Sequence, residues 1–140
     1  MNGNDFMSWV LRSPFHSMLS NGMMLITVTG CKTGKTYTTP VGYYQDDGCL
    51  WVLTSRDRTW WRNLRDGADV NLLLMRKPMK GFAETELDGK AVESHMFEYI
   101  RHIPQSAKSL GIHVENGNAN AEDVARIAKD RLFVKIKLSN

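Results

Sequence analysis

The residues best suited to chemistry lie in a glycine-bounded turn, residues 30–35, between two strand-like segments. Before it, Met23 to Thr29 is the apolar and β-branched run typical of a buried strand, and a Thr-rich extended pattern follows from Lys35 to Pro40. The turn brings together two lysines, a threonine hydroxyl and several backbone N–H groups, which can form a concave set of donors that suits a phosphate. An ordinary solvated hairpin tip has the same composition, so both interpretations stay open.

The rest of the sequence offers no catalytic group that could work alone. The turn is not a P-loop, since no GxxxxGK[ST] motif occurs and a strand-like segment follows it. There is no GxSxG motif, and the histidines are scattered without acidic or cysteine partners at metal-ligand spacing, at His16, His95, His102 and His113. Any chemistry would then belong to a bound cofactor. A phosphate-binding turn, hydroxyl-rich strand ends and nearby tryptophans together suit a flavin-like nucleotide.

Residues 36–45 and 49–55 continue the hairpin as two further strands. Asp46, Asp47 and Gly48 form a turn signal, because aspartate tolerates and glycine readily adopts a positive φ. The segment CLWVLTS is apolar on both faces, which predicts a central strand. Hydroxyls and positive charges collect where this strand ends, at Thr54, Ser55, Arg56 and Arg58.

Residues 59–65 (TWWRNLR) predict a short helix with a threonine at its N-cap position. Trp60 and Leu64 are four residues apart and would pin the helix to the sheet, while Trp61 lies on the adjacent stripe. Neighbouring tryptophans cannot face the same way, so one is expected in the core and the other beside a flat ligand or a subunit interface. Gly67 suits the left-handed position that ends such a helix.

The remaining elements predict a small barrel of about six mostly antiparallel strands with short covering helices, a mainly β (α+β) fold. An open α+β sheet is the competing architecture. Strands are predicted at 68–75, 79–87 and 131–138, with Lys77-Pro78 joining the first two. A broken helix is predicted at 5–20, and further helices at 91–103 and 120–129. A flexible connection at 116–120 precedes the last helix.

Composition limits the function classes. A chain of 140 residues with 42% hydrophobic residues predicts one soluble domain, spanning 1–140. The net charge of +3 is a mild bias towards anionic small molecules and argues against a nucleic-acid partner. Two cysteines without a secretory signal indicate free thiols in a cytoplasmic protein, and no apolar stretch is long enough to span a bilayer.

Two segments carry a family resemblance. The stretch TGCKTGKTYTTP, residues 29–40, resembles the T-G-R-K-S-G-x-x-R-x-T-P motif of the deazaflavin-dependent nitroreductase family. The stretch WWRNL, residues 60–64, is similar to that family's W-Y-H-N-L. The spacing between them also fits, and the resemblance runs from about Ser13 to Glu84, and more loosely to the C-terminus.

The resemblance implies a split β-barrel, usually a homodimer, that binds the deazaflavin coenzyme F-420 or FMN. Its relatives transfer hydride to nitroaromatics, quinones, enones or tetrapyrrole-like acceptors. By position, the resemblance assigns the cofactor phosphate to Lys32, Thr33, Gly34 and Lys35, the ring or ribityl chain to Thr38, Thr39 and Pro40, the groove border to Thr54, Ser55 and Arg56, and the far wall to Trp60, Trp61, Arg62 and Asn63.

Three departures of this chain from the family pattern matter for the cofactor. Cys31 stands where arginine is usual, the sequence RDRT replaces a glycine-rich loop, and Arg62 replaces histidine. The arginines at 56, 58 and 62 either compensate for the lost charge or mark a changed cofactor preference. We place the deazaflavin first, because its anionic tail needs basic surface and this chain offers Arg56, Arg58, Arg62, Arg65, Arg76, Lys77 and Lys80.

The leading hypothesis is therefore an oxidoreductase that uses a reduced deazaflavin or FMN to reduce a small organic acceptor. No catalytic residue is assigned, and Tyr43, Tyr44 and Tyr99 are either proton donors or packing residues. The alternative is a non-catalytic barrel that stores a cofactor or a haem-type ligand. A barrel that binds single-stranded nucleic acid is a third hypothesis, which the modest charge disfavours.

Overall fold

The computed structural model describes residues 23–30, 33–74 and 77–139. Six strands close into a barrel in the order β1-β2-β3-β8-β5-β4, with every neighbouring pair antiparallel. The barrel strands are β1 (Met23–Thr29), β2 (Thr36–Asp46), β3 (Cys49–Ser55), β4 (Ala68–Leu74), β5 (Lys77–Glu86) and β8 (Arg131–Ser139). The predicted small barrel is confirmed, and the open sheet is wrong. The predicted helix at 5–20 and the residues His16, Cys31, Lys32 and Arg76 lie outside the described residues.

Alternating side chains of the strands fill the barrel, as the two-residue period of a strand dictates. Met24, Ile26 and Val28 of β1 point inward, and so do Leu132 and Val134 of β8. All of these side chains are at most 1% exposed. Burying a side chain of this size stabilises a fold by about 1.5–3 kcal/mol, so the shared interior holds the barrel together.

A helical layer covers the outer face of β2, β3 and β8. It consists of α1 (Gly89–His102), α2 (Ser106–Leu110), the short hairpin β6 (Val114–Glu115) and β7 (Asn118–Ala119), and α3 (Ala121–Ala128). Val92, Met96 and Ile100 of α1 pack with Phe133 of β8 and Trp51 of β3. The central strand β3 therefore has apolar contacts on both faces, which confirms the prediction from its sequence.

The segment after α1 differs most from its prediction. The connection predicted at 116–120 is instead the β6–β7 hairpin, in which Val114 pairs with Ala119. Asn116 and Gly117 have φ values of 53° and 79°, the positive values that a type I′ hairpin turn requires and that Asn-Gly pairs favour. The five-residue helix α2 was not predicted. Asn120 does cap α3, since its side-chain oxygen accepts a hydrogen bond from the N–H of Asp123 at 3.0 Å.

The connection between β4 and β5 also shifts from its prediction. Lys77 and Pro78 already belong to β5, where they pair with Leu74 and Leu73. Proline is tolerated in a strand where its missing N–H is not needed for the ladder. The predicted joint at these two residues is therefore wrong, and β5 is longer than its alternating pattern indicated.

The short helix after β3 is a 3₁₀ helix, Trp60–Leu64. With three residues per turn, its buried face carries Trp61 and Leu64, which are 3% and 1% exposed. The predicted Trp60–Leu64 stripe assumed an α-helical period and is wrong in this respect. Thr59 occupies the N-cap position, but its side chain makes no capping hydrogen bond.

Gly67 fixes the chain reversal between the 3₁₀ helix and β4, and we predict that it tolerates no side chain. Its φ is +82°, and a Cβ there would lie 2.5 Å from Cζ of Phe82. We expect Gly67→Ala to lower the free energy of unfolding by about 2–3 kcal/mol, from left-handed strain and steric overlap, measured by urea denaturation.

Two matched glycines separate these causes. Gly111→Ala has φ +74° without any neighbour within 4 Å, so strain alone should cost about 1–2 kcal/mol. Gly89→Ala, in the first turn of α1 with open space around it, should be neutral or stabilising by up to about 1 kcal/mol. Equal losses in Gly67→Ala and Gly111→Ala would contradict the contact between Gly67 and Phe82.

Candidate functional site

The barrel is incompletely paired at one end, and the predicted site residues converge there. The pairing of β2 with β3 ends at Gly42 and Leu53. Beyond that point β2 pairs only with β1, and Thr54 and Ser55 of β3 pair only with β8. Because the strands are antiparallel, the turn at 30–35 and the 3₁₀ helix lie at this same end. We call this region the open end: the described residues 30, 33–41 and 54–65 and the edge between β2 and β3.

The turn at 30–35 uses much of its backbone hydrogen-bonding capacity internally. The N–H of Gly30 donates to the carbonyl of Lys35 at 2.7 Å, and the N–H of Gly34 donates to the carbonyl of Gly30 at 2.9 Å. The N–H of Lys35 donates to the Thr33 hydroxyl at 3.3 Å. These three N–H groups are not available to a phosphate, so the predicted cradle of several backbone donors is wrong for them. The exposed Lys35 ammonium and the Thr33 hydroxyl proton remain as donors.

The predicted ring-lining residues of β2 do not share one wall. Thr38 lies on the outer face, where its hydroxyl is 2.9 Å from that of Thr27, whereas Thr39 belongs to the inward-facing row. Thr54 and Ser55 alternate in the same way. Pro40 follows on the outer face opposite Leu25. A ligand that contacts all of these residues must therefore lie across the unpaired edge between β2 and β3, not along one face of the sheet.

Arg56 has a structural role that its sequence position did not reveal. Its Nε donates to the carbonyl of Arg131 at 2.9 Å, and its terminal nitrogen donates to the carbonyl of Leu87 at 2.7 Å. Its own N–H bonds to the carbonyl of Asp130. These bonds join the end of β3 to the start of β8 and to the residues before α1. The predicted cofactor contact of Arg56 is thus at best a secondary use of a guanidinium group that is already engaged.

The 3₁₀ helix separates its two tryptophans. Trp61 is 3% exposed and packs in the barrel core, so its ring offers little surface to a ligand, and its place in the far wall of the cofactor groove stays a prediction. Its buried Nε1–H has no hydrogen-bond partner among the described residues. Trp60 is half-buried at the edge of the core, and its carbonyl accepts a hydrogen bond from the Asn63 side chain at 3.2 Å. Trp60 is therefore the indole that can flank a flat ligand.

Positive charge concentrates at the open end. The guanidinium carbons of Arg62 and Arg65 lie 5.6 Å and 5.2 Å from the Trp61 ring centroid, within the range of cation–π contact. Both side chains are exposed. In the described part of the chain, ion pairs form only within helices, between Arg101 and Glu98 and between Arg126 and Asp123. The cations at the open end therefore have no carboxylate partner there, and they favour an anionic ligand.

These features fit a planar cofactor with an anionic tail. Lys35 and Thr33 offer donors to a phosphate, Arg62 and Arg65 offer charge, and Trp60 offers an aromatic surface. The orphan Nε1–H of Trp61 is a further donor at the same end.

A second cluster of chemistry-bearing residues lies between β2, β3 and α1, away from the open end. The Tyr44 hydroxyl is 2.8 Å from Nδ1 of His95, and His95 stacks on Trp51 with ring centroids 3.7 Å apart. His102 stacks on Tyr44 with ring centroids 5.0 Å apart. This cluster was missed because its members are distant in sequence, and the seven-residue spacing of the two histidines, close to two helical turns, is the signal that could have found it.

The tyrosines considered as donors are thereby divided between the helical layer and the barrel interior. Tyr44 and Tyr99 pack in the helical layer, and the Tyr99 hydroxyl lies against Gly42, the residue at which the pairing of β2 with β3 ends. Tyr43 is half-buried against the barrel core. Burial raises the pKa of Tyr43 and of Tyr99, and burial followed by the charges of Asp46 and Glu98 raises the pKa of Tyr44. All three phenols therefore stay protonated at neutral pH.

Burial lowers the pKa of His95 below 6.5. Glu86, Asp46 and Glu98 oppose this shift, and Lys135 adds to it. The folded protein thus takes up the proton at a lower pH than the unfolded chain does. The contribution of neutral His95 to stability is complete above the pKa that this histidine has in the unfolded chain. It is lost as the pH falls through and below that value.

We predict a pH dependence that resides in His95. Lowering the pH from about 7.5 to about 5 should decrease the free energy of unfolding of the wild type more than that of His95→Gln, which retains an acceptor for Tyr44 but cannot ionise. Urea denaturation at both pH values measures the difference. The control His113→Gln removes an exposed histidine and should behave as the wild type. Identical pH dependence of the wild type and His95→Gln would contradict the burial of a neutral imidazole.

Two other features are absent from the described part of the chain. No group of three or more histidine, cysteine, aspartate or glutamate side chains is placed to hold a metal ion. None of the described helices combines the length and the apolarity that crossing a bilayer requires.

Known structures share this fold at low sequence identity. A conserved hypothetical protein of Mycobacterium tuberculosis matches 100% of this chain and 82% of its own, with a TM-score of 0.61 and 16% identity. A structure described as an F420-H2 dependent reductase (FDR-A) matches 81% of this chain and 93% of its own, with a TM-score of 0.53 and 16% identity. A structure described as a domain-swapped dimer matches 94% and 98%, with a TM-score of 0.52 and 18% identity. At these identities the likeness establishes the fold alone.

The sequence itself identifies the family. No curated protein matches the chain significantly. Residues 15–106, well over half of the chain, match the family described as F420H(2)-dependent quinone reductase. The match includes both segments on which the resemblance was based, so the expected deazaflavin-type family is confirmed. This chain belongs to the F420H(2)-dependent quinone reductase family and is an oxidoreductase of the deazaflavin-dependent class.

Proposed function

We propose that the protein binds the deazaflavin coenzyme F-420 at the open end of the barrel and reduces a small organic acceptor. Quinones are the first candidates because the family is described by them, and nitroaromatics and enones are chemically similar acceptors. The observation that carries the proposal is the convergence of Lys35, Trp60, Arg62 and Arg65 on one barrel end, within the residues that match the family. FMN is the second cofactor candidate, since it has the same arrangement of planar ring and phosphate.

Charged residues of the open end would bind the cofactor phosphate, and strand residues would contact the rest of the cofactor. Lys32 and Lys35 would hold the phosphate by charge, and the Thr33 hydroxyl would donate to it. Thr38, Thr39 and Pro40 would contact the cofactor across the unpaired edge of β2, opposite Thr54 and Ser55. Gly34 has a φ of +70° and shapes the turn, while Arg56 and Asn63 hold the surrounding backbone in place.

The reduced coenzyme, when bound, supplies the hydride for the reaction. The chain would position the acceptor and exclude water, which are effects that require no ionising side chain. The guanidinium groups of Arg62 and Arg65 would stabilise negative charge that develops on an acceptor oxygen, because both are fixed against the Trp61 ring. We assign no catalytic acid.

We also propose a cytoplasmic homodimer. The structural neighbour described as a domain-swapped dimer supports self-association, and the sparse cysteine content of this chain supports a reducing compartment. Light scattering coupled to size-exclusion chromatography tests the dimer, since a mass of one chain across the micromolar range would contradict it.

Removal of the turn lysines should weaken cofactor binding. We expect Lys32→Ala plus Lys35→Ala to cost about 2–4 kcal/mol of binding free energy, if both ammonium groups contact phosphate. The oxidised coenzyme, titrated against tryptophan fluorescence, gives the dissociation constant. The matched control is Lys108→Ala plus Lys129→Ala, which removes the same charge from exposed positions in the helical layer. If both double variants bind the cofactor equally, the turn is not its phosphate site.

A turnover assay distinguishes an enzyme from a storage protein. Reduced coenzyme is mixed with the protein and a panel of quinones, nitroaromatics and enones, and its oxidation is followed by absorbance against a protein-free control. Protein-dependent oxidation with at least one acceptor is expected. Tight binding without oxidation by any acceptor would instead favour the storage or haem-binding alternative.

A further inference from the structure

Tyr37 stands out among the residues of the open end. It lies on β2 directly after the turn, and its cross-strand partner is Val28 of β1. The pair belongs to the inward-facing rows, since Val28 is 1% exposed in the barrel core. Tyr37 is nevertheless 45% exposed, more than any other large hydrophobic side chain of the described residues. An inward-facing aromatic ring with this exposure lies at the mouth of the barrel.

The ring of Tyr37 is also held against the turn. A Cβ placed on Gly30 would lie 3.0 Å from Cε2 of Tyr37, so the ring covers the base of the turn that carries Lys35. Val28 packs in the same cluster as Trp61, and the half-buried Trp60 packs against that cluster. Tyr37 and Trp60 therefore lie at the same end of the barrel, one on β2 and one on the 3₁₀ helix.

This position also differs from the motif that the segment resembles. In T-G-R-K-S-G-x-x-R-x-T-P, the ninth position is an arginine, and in this chain it is Tyr37. With Cys31 at the third position, both arginines of the motif are replaced by uncharged residues. Arginine binds phosphate through two parallel hydrogen bonds, which tyrosine cannot reproduce. The substitution exchanges a charged contact for aromatic surface.

We infer that Tyr37 is a specificity-determining residue that packs its aromatic face on the planar ring system of the cofactor. This inference rests on the proposed function and extends it. Two aromatic rings at one end of the barrel offer suitable surface for a flat heterocycle. The cofactor affinity of this chain then depends more on contacts with the ring system and less on contacts with the anionic tail. A site that keeps both motif arginines would depend more on the tail.

Binding measurements test the inference without requiring turnover. The wild type, Tyr37→Phe, Tyr37→Leu and Tyr37→Arg are titrated with oxidised deazaflavin coenzyme and with its phosphate-free ring-and-ribityl core, at low and high salt. We expect Tyr37→Leu to weaken binding of both ligands by about 3- to 10-fold, the scale of one aromatic contact, and Tyr37→Phe to stay within about twofold of the wild type.

The Tyr37→Arg variant tests whether an arginine at this position shifts binding from the ring system to the anionic tail. Tyr37→Arg should weaken binding of the phosphate-free core as Tyr37→Leu does, but its binding of the complete coenzyme should depend more steeply on salt than that of the wild type. Thermal midpoints of all four proteins confirm folding, and the exposure of Tyr37 leads us to expect similar values.

Two results would overturn the inference. Wild-type affinity of Tyr37→Leu for both ligands would show that the ring makes no contact. Equal losses in Tyr37→Phe and Tyr37→Leu would show that the hydroxyl, not the aromatic face, is the contact. Either failure is distinct from failure of the proposed function, in which the wild type itself binds neither ligand.

Discussion

The structure depends on the insertion of β8 between β3 and β5. This last strand pairs along its length with both neighbours, and without it the first five strands form only an open sheet. Its alternating side chains fill the interior with Leu132, Val134 and Ile136, and present Phe133 to the helical layer. One strand thereby closes the barrel and anchors the helices. The bonds from Arg56 to Arg131 and Leu87 secure the start of this strand.

Strand β8 closes the barrel, but β2 and β3 remain unpaired at one end. The pairing of β2 with β3 stops at Gly42 and Leu53, because β3 continues along β8 while β2 continues along β1. The 3₁₀ helix then seals the interior with Trp61 and leaves Trp60 at the rim. The same geometry that completes the core thus produces a rigid opening with exposed cations and aromatic surface. Rigid elements on either side are what a site needs in order to position a cofactor without strain.

The helical layer packs on the outer face of β2, β3 and β8 and adds polar and aromatic contacts there. Tyr44, His95 and Trp51 form a hydrogen-bonded and stacked cluster beneath α1, and burial keeps its imidazole neutral near physiological pH. Charge at the open end is borne by lysine and arginine side chains.

The sequence by itself determined the six barrel strands, the barrel class, the two longer helices and the family, because these follow from local periodicity, turn residues and short motifs. It also identified the turn and the tryptophan pair as the candidate site. Only the tertiary structure decided which tryptophan is buried, since a 3₁₀ period replaced the assumed α-helical one, and that Arg56 bonds to Arg131 and Leu87. It also decided that Thr38 and Thr39 face opposite ways across an unpaired edge. These features depend on contacts between residues far apart in the chain, and such contacts have no local signature.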